Sequence, residues 1–174
     1  MTAASLKETL QKHPFVANFC PEHLDKLAAI ASHVHFNKDE LVFQEGEESR
    51  LFYLLLSGSV ALEVPTPGRT VRVATVGFDS SIAPGSLRVD TVMRGAELGW
   101  SSIFPAPHMK QFQARTLEEV DALRLDGEQL RQMCEVDHDF GYVFLGALLR
   151  VMANRLQGTR IQLKDVYSPS ASAA

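Results

Sequence analysis

Two stretches of this 174-residue chain concentrate the side chains that could do chemistry. The first is HVHFNKDE, where His33 and His35 fall on one face of an extended segment and Glu40 follows close behind. Two imidazoles and a carboxylate so placed could ligate a divalent metal. The second stretch, RGAELGWSSIFPAPHMKQFQART at 94–116, holds a Gly-Ala-Glu-Leu-Gly turn, the only tryptophan, two prolines and a histidine between segments that read as β-strand. Such a mixture suits a loop built to hold a ligand. Cys20 with His23 and Cys134 with His138 are further conceivable haem or metal ligands, although single cysteines in half-apolar helical surroundings are ordinarily buried small residues. There is no Gly-x-Ser-x-Gly, no phosphate loop of the Gly-Lys-Thr type and no Cys-x-x-Cys. Nucleophilic, phosphoryl-transfer and zinc chemistry therefore lack a carrier, and an enzyme is not expected.

The elements that must position these residues read as helix, then strands, then helix. Residues 1–31 form an N-terminal helical segment: Leu6 and Leu10 share a face, Pro14 interrupts, and Pro21 opens a second helix carrying Leu24, Leu27, Ala28 and Ala31 at helical spacing. From 32 to 126 short β-rich runs alternate with turn residues, the pattern of an all-β sandwich or barrel. Strands are expected near 33–37, 41–44, 51–57, 59–64, 70–77, 87–93, 97–101, 111–117 and 119–125. Ser57-Gly58-Ser59 reads as a tight hairpin, glycine supplying the positive φ. Helical periodicity returns over 127–166, with Asp126 and Asp137 as N-caps, and the small, polar tail 167–174 reads as disordered.

The last helix carries a second pattern. Leu145, Leu149, Met152, Leu156, Thr159, Leu163 and Val166 step by 4, 3, 4, 3, 4 and 3, a heptad seam that predicts a homodimer through 145–166. Phe140, Val143, Phe144 and Leu148 predict that the first half packs on its own domain, while Thr159 and Gly158 mark where the seam could meet a ligand. A helix over positions 137–166 would be about 45 Å long.

Composition narrows the class. A hydrophobic content of 45% in 174 residues suits a single domain. A formal charge of -4 with dispersed basic residues argues against direct contact with nucleic acid. No stretch has the order of a signal peptide, and none approaches the roughly 18 apolar residues of a membrane span. The expectation is a cytoplasmic protein with no membrane contact.

Taken together, LAAIASHVHFNKDELVFQEGEESRLFYLLLSGSVALEV and AELGWSSIFPAPHMKQFQARTLEEVDALRLDGEQL resemble the cyclic nucleotide-binding domains of catabolite-activator and FNR-type regulators, over about residues 15–166. Within that superfamily the chain is most similar to stand-alone bacterial members without a DNA-binding domain. The resemblance implies a mainly β fold with flanking helices: a double-stranded β-helix, or jelly-roll barrel, with N-terminal helices and a long C-terminal dimerisation helix. It makes 94–116 the phosphate-binding cassette. In that family a helix N-terminus and its N–H groups meet the cyclic phosphate, a glutamate takes the ribose 2′-hydroxyl and an arginine neutralises the phosphate. Carried over, Glu97 is the glutamate, Leu98, Gly99 and Trp100 follow it, and Ala96 stands where a glycine is usual. His108 falls at the arginine position with Met109 after it, and no arginine lies between Gly95 and Arg115. Lys110 is the candidate replacement cation, and Thr159 the long-helix residue placed to meet a purine.

The function so implied is a sensor or adaptor that binds cAMP or cGMP and regulates an unidentified protein partner through paired long helices. Only eight residues follow Val166, too few for a helix-turn-helix, so direct DNA binding is not expected. The region 65–96 exceeds the family norm by about a hairpin and is a candidate partner surface. Its residues Val71, Val73, Val76, Leu87, Val89 and Val92 alternate with charged ones. Two other readings stay open. One is a degenerate interaction module that binds no nucleotide. The other rests on His33, His35 and Glu40, which resemble the metal motif of the cupins, enzymes that share the β-helix.

Overall fold

The path of the chain is set by where proline, glycine and short acids interrupt apolar runs, as the computed structural model shows for residues 3–48, 50–66, 85–104 and 109–167. Helix α1 (Ala3–Gln11) ends at a short 3-10 turn, Pro14–Val16, which His13 caps by accepting from the Phe15 N–H at Nδ1, 3.2 Å. Helix α2 (Pro21–Ile30) begins on a proline, whose fixed φ suits a first helical position. Then come β1 (Ser32–Phe36), β2 (Leu41–Phe43), β3 (Leu51–Leu55), β4 (Ser59–Pro65), β5 (Ser86–Met93), β6 (Glu97–Leu98), β7 (Gln113–Thr116) and β8 (Val120–Asp126). They form two antiparallel four-stranded sheets, β1-β8-β3-β6 and β2-β7-β4-β5, the jelly roll expected from the sequence.

Alternation along the central strands builds two cores at once. Tyr53 and Leu55 of β3 and Val120 and Ala122 of β8 point between the sheets, where they meet Phe43, Val60, Leu62, Val92 and Leu98. Phe52 and Leu54, with Leu123 and Leu125, point the other way and are covered by the helices. The unbroken apolar run LFYLL follows from this double burial, since a strand covered on both faces has no side left for polar residues.

Two local expectations are corrected. Ser57-Gly58-Ser59 is not a hairpin, because β3 and β4 belong to different sheets. The turn carries the chain across the sandwich, and its backbone pairs with β8 instead: Leu56 and Ser57 N–H both donate to the Asp121 carbonyl, at 2.8 and 3.2 Å. Gly58, at φ 75°, lies so close to the Glu119 backbone that a side chain would collide with it. The strand expected over 97–101 stops at Leu98. Gly99 takes φ 79°, and Trp100–Ile103 wind into a 3-10 turn. Strand 70–77, with Val71, Val73 and Val76, lies outside the described residues, as does the tail after Tyr167. The flanking arms of the 65–96 region are paired from Ser59 with Met93 to Pro65 with Ser86.

Helices α3 (Gly127–Val136) and α4 (His138–Tyr167) start where their acids cap them: Asp126 accepts from Gln129 N–H at 2.9 Å and Asp137 from Phe140 N–H at 3.0 Å. Asp137 also receives Lys26 Nζ at 2.5 Å, and that ammonium together with the Phe140 N–H holds its carboxyl down to about 2. The first half of α4 drives Phe140, Phe144, Ala147 and Leu148 into a cluster with Phe15, Phe19 and Phe52. Phe144 alone packs against four other aromatic rings at centroid distances of 5.5 to 6.4 Å. On another face of α4, Leu145, Leu149, Leu156 and Leu163 remain 47%, 67%, 53% and 55% exposed. Val166 belongs to the helix, but its side chain lies outside the described set.

Gly46 and Gly99 both need a positive φ, but a Cβ on Gly46 meets open space while one on Gly99 overlaps the Leu51 carbonyl oxygen. Gly99→Ala is therefore expected to cost more than about 1 kcal/mol beyond the cost of Gly46→Ala. Urea denaturation of the two variants measures the difference.

Candidate ligand pocket

The stretch between β5 and β7 is held in place by backbone. Gly95, at φ 80°, donates to Leu55 O at 2.8 Å, and Ala96 O accepts from Leu55 N–H at 2.9 Å. This pins β6 to the edge of the first sheet. Gly99 then turns the chain into Trp100–Ile103, where Ser102 N–H returns to Gly99 O at 2.9 Å. Trp100 is half-buried, meets Phe104 edge-on and packs against the helical core. Across from this turn, Lys110 is fixed through its main chain to the loop after β2, its N–H donating to Glu47 O at 3.1 Å and its carbonyl accepting from Gly46 N–H at 2.8 Å.

Between these segments and the second half of α4 lies a cleft of about 940 Å³. Ala96, Leu98, Gly99, Trp100, Met109, Lys110 and Thr159 all line it, so the structure gathers most of the residues singled out in the sequence. His108 lies outside the described residues. Met109 is exposed and bridges to Glu48. Thr159 is an exposed residue of α4 at the cleft and donates back to Arg155 O at 3.0 Å.

Lys110 is the distinctive charge. It is only 6% exposed, donates to Ser101 Oγ at 3.1 Å and lies 4.9 Å from the centre of the Phe43 ring. Among the described residues it forms no ion pair. Burial pulls its pKa down to about 8, with Glu47 opposing from a distance. A buried ammonium answered by a hydroxyl and an aromatic face is short of negative charge.

Glu97 is elsewhere. It is 4% exposed and lines a neighbouring cleft of about 450 Å³, between the Pro14–Val16 turn and α4, rather than the larger one. Arg155 of α4 reaches it, donating to both the Glu97 carbonyl and, at 3.0 Å, Oε1. Burial raises the Glu97 pKa and the Arg155 charge opposes that rise. Arg155 lines both clefts and ties the edge of β6 to the long helix. A search for a cation confined to 94–116 misses it. Its sequence signal was its place four residues before Thr159, hence on the same helical face.

The metal trio does not assemble. His33 Nε2 and His35 Nδ1 both approach Asp121 Oδ1, at 3.2 and 3.1 Å, on the outer face of β1 and β8. Glu40 is committed to its own turn through Asn37 N–H, 2.8 Å, and Asn37 Nδ2, 3.2 Å. No group of three or more metal-ligating side chains forms among the described residues, and the cupin-like reading is set aside. Cys134 is half-buried, its thiol pushed up to about 11 by burial with help from Glu135 and Asp137, and Cys20 is exposed at the start of α2. A thiol so raised is a poor metal ligand.

The architecture is thus a two-sheet jelly roll with a glycine-framed turn, a buried cation in a cleft and a C-terminal helix forming one wall. The cyclic nucleotide-binding domain model matches residues 33–137, and the chain belongs to that family. Such domains are typically regulatory rather than catalytic. The fold is similar to that of a candidate cyclic nucleotide-binding protein from Geobacter metallireducens, at 25% identity and TM-score 0.67, over 86% of this chain and 97% of that one. It is also similar to a cyclic nucleotide-binding domain from Methylobacillus flagellatus, at 16% identity and TM-score 0.72, over 98% and 86%. A third likeness is to the sensor domain of the transcriptional regulator DNR from Pseudomonas aeruginosa, at 20% identity and TM-score 0.61, over 98% of each chain. The comparison with curated proteins yields no match. Among the described residues no helix is long and apolar enough to cross a membrane.

Removing Arg155 strands a buried carboxylate. Arg155→Ala is expected to cost up to about 3 kcal/mol, the lower end for a broken buried pair because Arg155 stays partly exposed. The loss should shrink as pH falls, since a carboxyl already raised by burial takes up a proton and ceases to need its partner. Adding Glu97→Gln to Arg155→Ala should restore part of the stability at neutral pH. Urea denaturation at two pH values reads all three effects.

Proposed function

We propose that this chain is a non-catalytic sensor domain in which a small anionic effector enters the larger cleft and its occupancy is passed to a protein partner by the long helix. The single observation that carries this reading is Lys110, a buried cation without a carboxylate partner among the described residues, on the wall of a cleft of ligand size. cAMP and cGMP, the effectors expected from the family, are the first anions to test. Lys110 meets the anion, Gly99, Trp100 and Ser101 of the turn lie on the same wall, and Thr159 and Gly158 of α4 face the remainder of the effector.

The reading supplies a route outward. Ligand contacts on α4 and the Arg155–Glu97 pair act on the same helix, whose Leu149, Leu156 and Leu163 stripe is exposed on the single chain. Two copies pairing through that stripe form a homodimer, and a shift in helix packing is what the protein partner detects. A second reading, an interaction module without a nucleotide, draws support from Glu97, which lies off the larger cleft and is already paired with Arg155.

Native mass spectrometry with cAMP and cGMP should show one anion per chain, and Lys110→Ala should weaken uptake at least tenfold. The pH dependence has a definite sign. Lys110 is charged below about 8 and neutral above it, so affinity should be full near pH 6 and fall as pH rises through 8, with the dependence lost in Lys110→Ala. A protein that stays bare at every pH favours the interaction module.

Leu149→Glu with Leu156→Glu should convert a dimer to a monomer in sedimentation velocity while leaving the melting temperature of the barrel nearly unchanged. A variant that remains dimeric places the interface elsewhere.

A further inference from the structure

The wall of the larger cleft changes character with depth. Its buried side chains are apolar, Phe43, Leu62, Val92 and Leu98, with the single exception of Lys110, and half-buried Trp100 and Phe112 extend the same surface. Of the polar side chains that line it, Asp90, Gln111, Asn154, Thr159 and Gln162 are exposed and occupy its rim, Thr91 and Ser101 are half-buried, and Ser101 Oγ sits beside Lys110 Nζ at 3.1 Å. The other charges near it are already engaged: Arg155 with Glu97, and Asp90 Oδ1 with its neighbour's Thr91 N–H at 2.8 Å. The carboxylate suited to a sugar hydroxyl, Glu97, is not part of this wall.

Among the described residues, a ligand seated at depth therefore meets one unpaired positive charge, the Ser101 hydroxyl beside it and otherwise mostly hydrocarbon. Polar atoms beyond the group that meets Lys110 and Ser101 find few partners among the described residues, and burying them unpaired costs more than the apolar contact returns. An ammonium is a point charge, without the fork that selects a phosphate by its geometry. We propose that the effector of this cleft is a hydrophobic monocarboxylate, with its carboxylate on Lys110, its aryl or alkyl body against Phe43, Leu98 and Trp100, and no sugar recognised. The inference rests on the reading of the cleft as an anion-sensing site and specifies the chemistry of the anion.

Trp100 lines the cleft and is the only tryptophan, so its fluorescence reports occupancy directly. The full chain is titrated with 4-phenylbutyrate and decanoate, with the neutral 4-phenylbutyramide, and with cAMP, and isothermal calorimetry is run in parallel. The expected result is saturable binding of both acids, at least tenfold tighter than cAMP and at least tenfold tighter than the amide. Lys110→Met, which replaces a buried ammonium by an apolar chain of similar length, should weaken the acids at least tenfold and leave the amide unchanged. Acid and amide binding equally would overturn the proposal, as would retention of acid affinity in a Lys110→Met protein with unchanged circular dichroism. If cAMP binds with the pH dependence given above while the acids do not, the proposal fails and the anion-sensing reading stands. If no anion of either kind binds by fluorescence or calorimetry, both fail.

Discussion

Strand β3 is buried on both faces, and the rest of the structure is arranged around that constraint. Phe52 and Leu54 need the helices, while Tyr53 and Leu55 need the second sheet. Neither layer alone could keep LFYLL from water, and each apolar side chain so covered contributes roughly 1.5–3 kcal/mol. The same strand holds the edge of the pocket, because Leu55 exchanges hydrogen bonds with Gly95 and Ala96 and the Leu51 carbonyl leaves room only for a glycine at position 99. Core and site are thus adjacent faces of one element.

The site spends stability that the core supplies. Lys110 and Glu97 are both taken out of water a short distance apart along the chain, yet among the described residues only Glu97 receives a counter-charge, from Arg155. A lysine buried against a phenylalanine and a serine is a costly arrangement for a surface that needed only to fold. Its presence on the wall of a cleft, beside a turn whose Gly99 fits against the Leu51 carbonyl, gives that cost a use in the anion site proposed above.

Much of the fold was legible because its signals are periodic. The two-residue alternation of the strands, the caps at Asp126 and Asp137 and the heptad in α4 each depend on neighbours in sequence. What could not be read depends on distant neighbours. Ser57-Gly58-Ser59 looks like any two-strand turn, and only the hydrogen bonds to Asp121 decide that it crosses between sheets. His33 and His35 have the spacing of ligands, but their orientation toward Asp121 is set by the pairing of β1 with β8. In the candidate site, Lys110 could be noticed as a nearby cation, whereas the partner of Glu97 lay 58 residues away on another element. No local pattern could have joined them.

The crossing at Gly58 also governs when the protein can form. With β3 and β4 in separate sheets, pairing is deferred: Ser32 meets Arg124, Leu51 meets Asp126 and Val60 meets Thr116. Contacts between residues so far apart in sequence slow folding, because a long loop must close before anything is gained. On a ribosome, β1 and β3 emerge well before β8, the strand that lies between them. Until then both strands, one of them the apolar β3, have unsatisfied edges, and the nascent chain is at its most prone to association with others. The acids and lysines around them, among them Lys38, Asp39, Glu40, Glu45, Glu47 and Glu48, place charge beside those edges, which opposes such association.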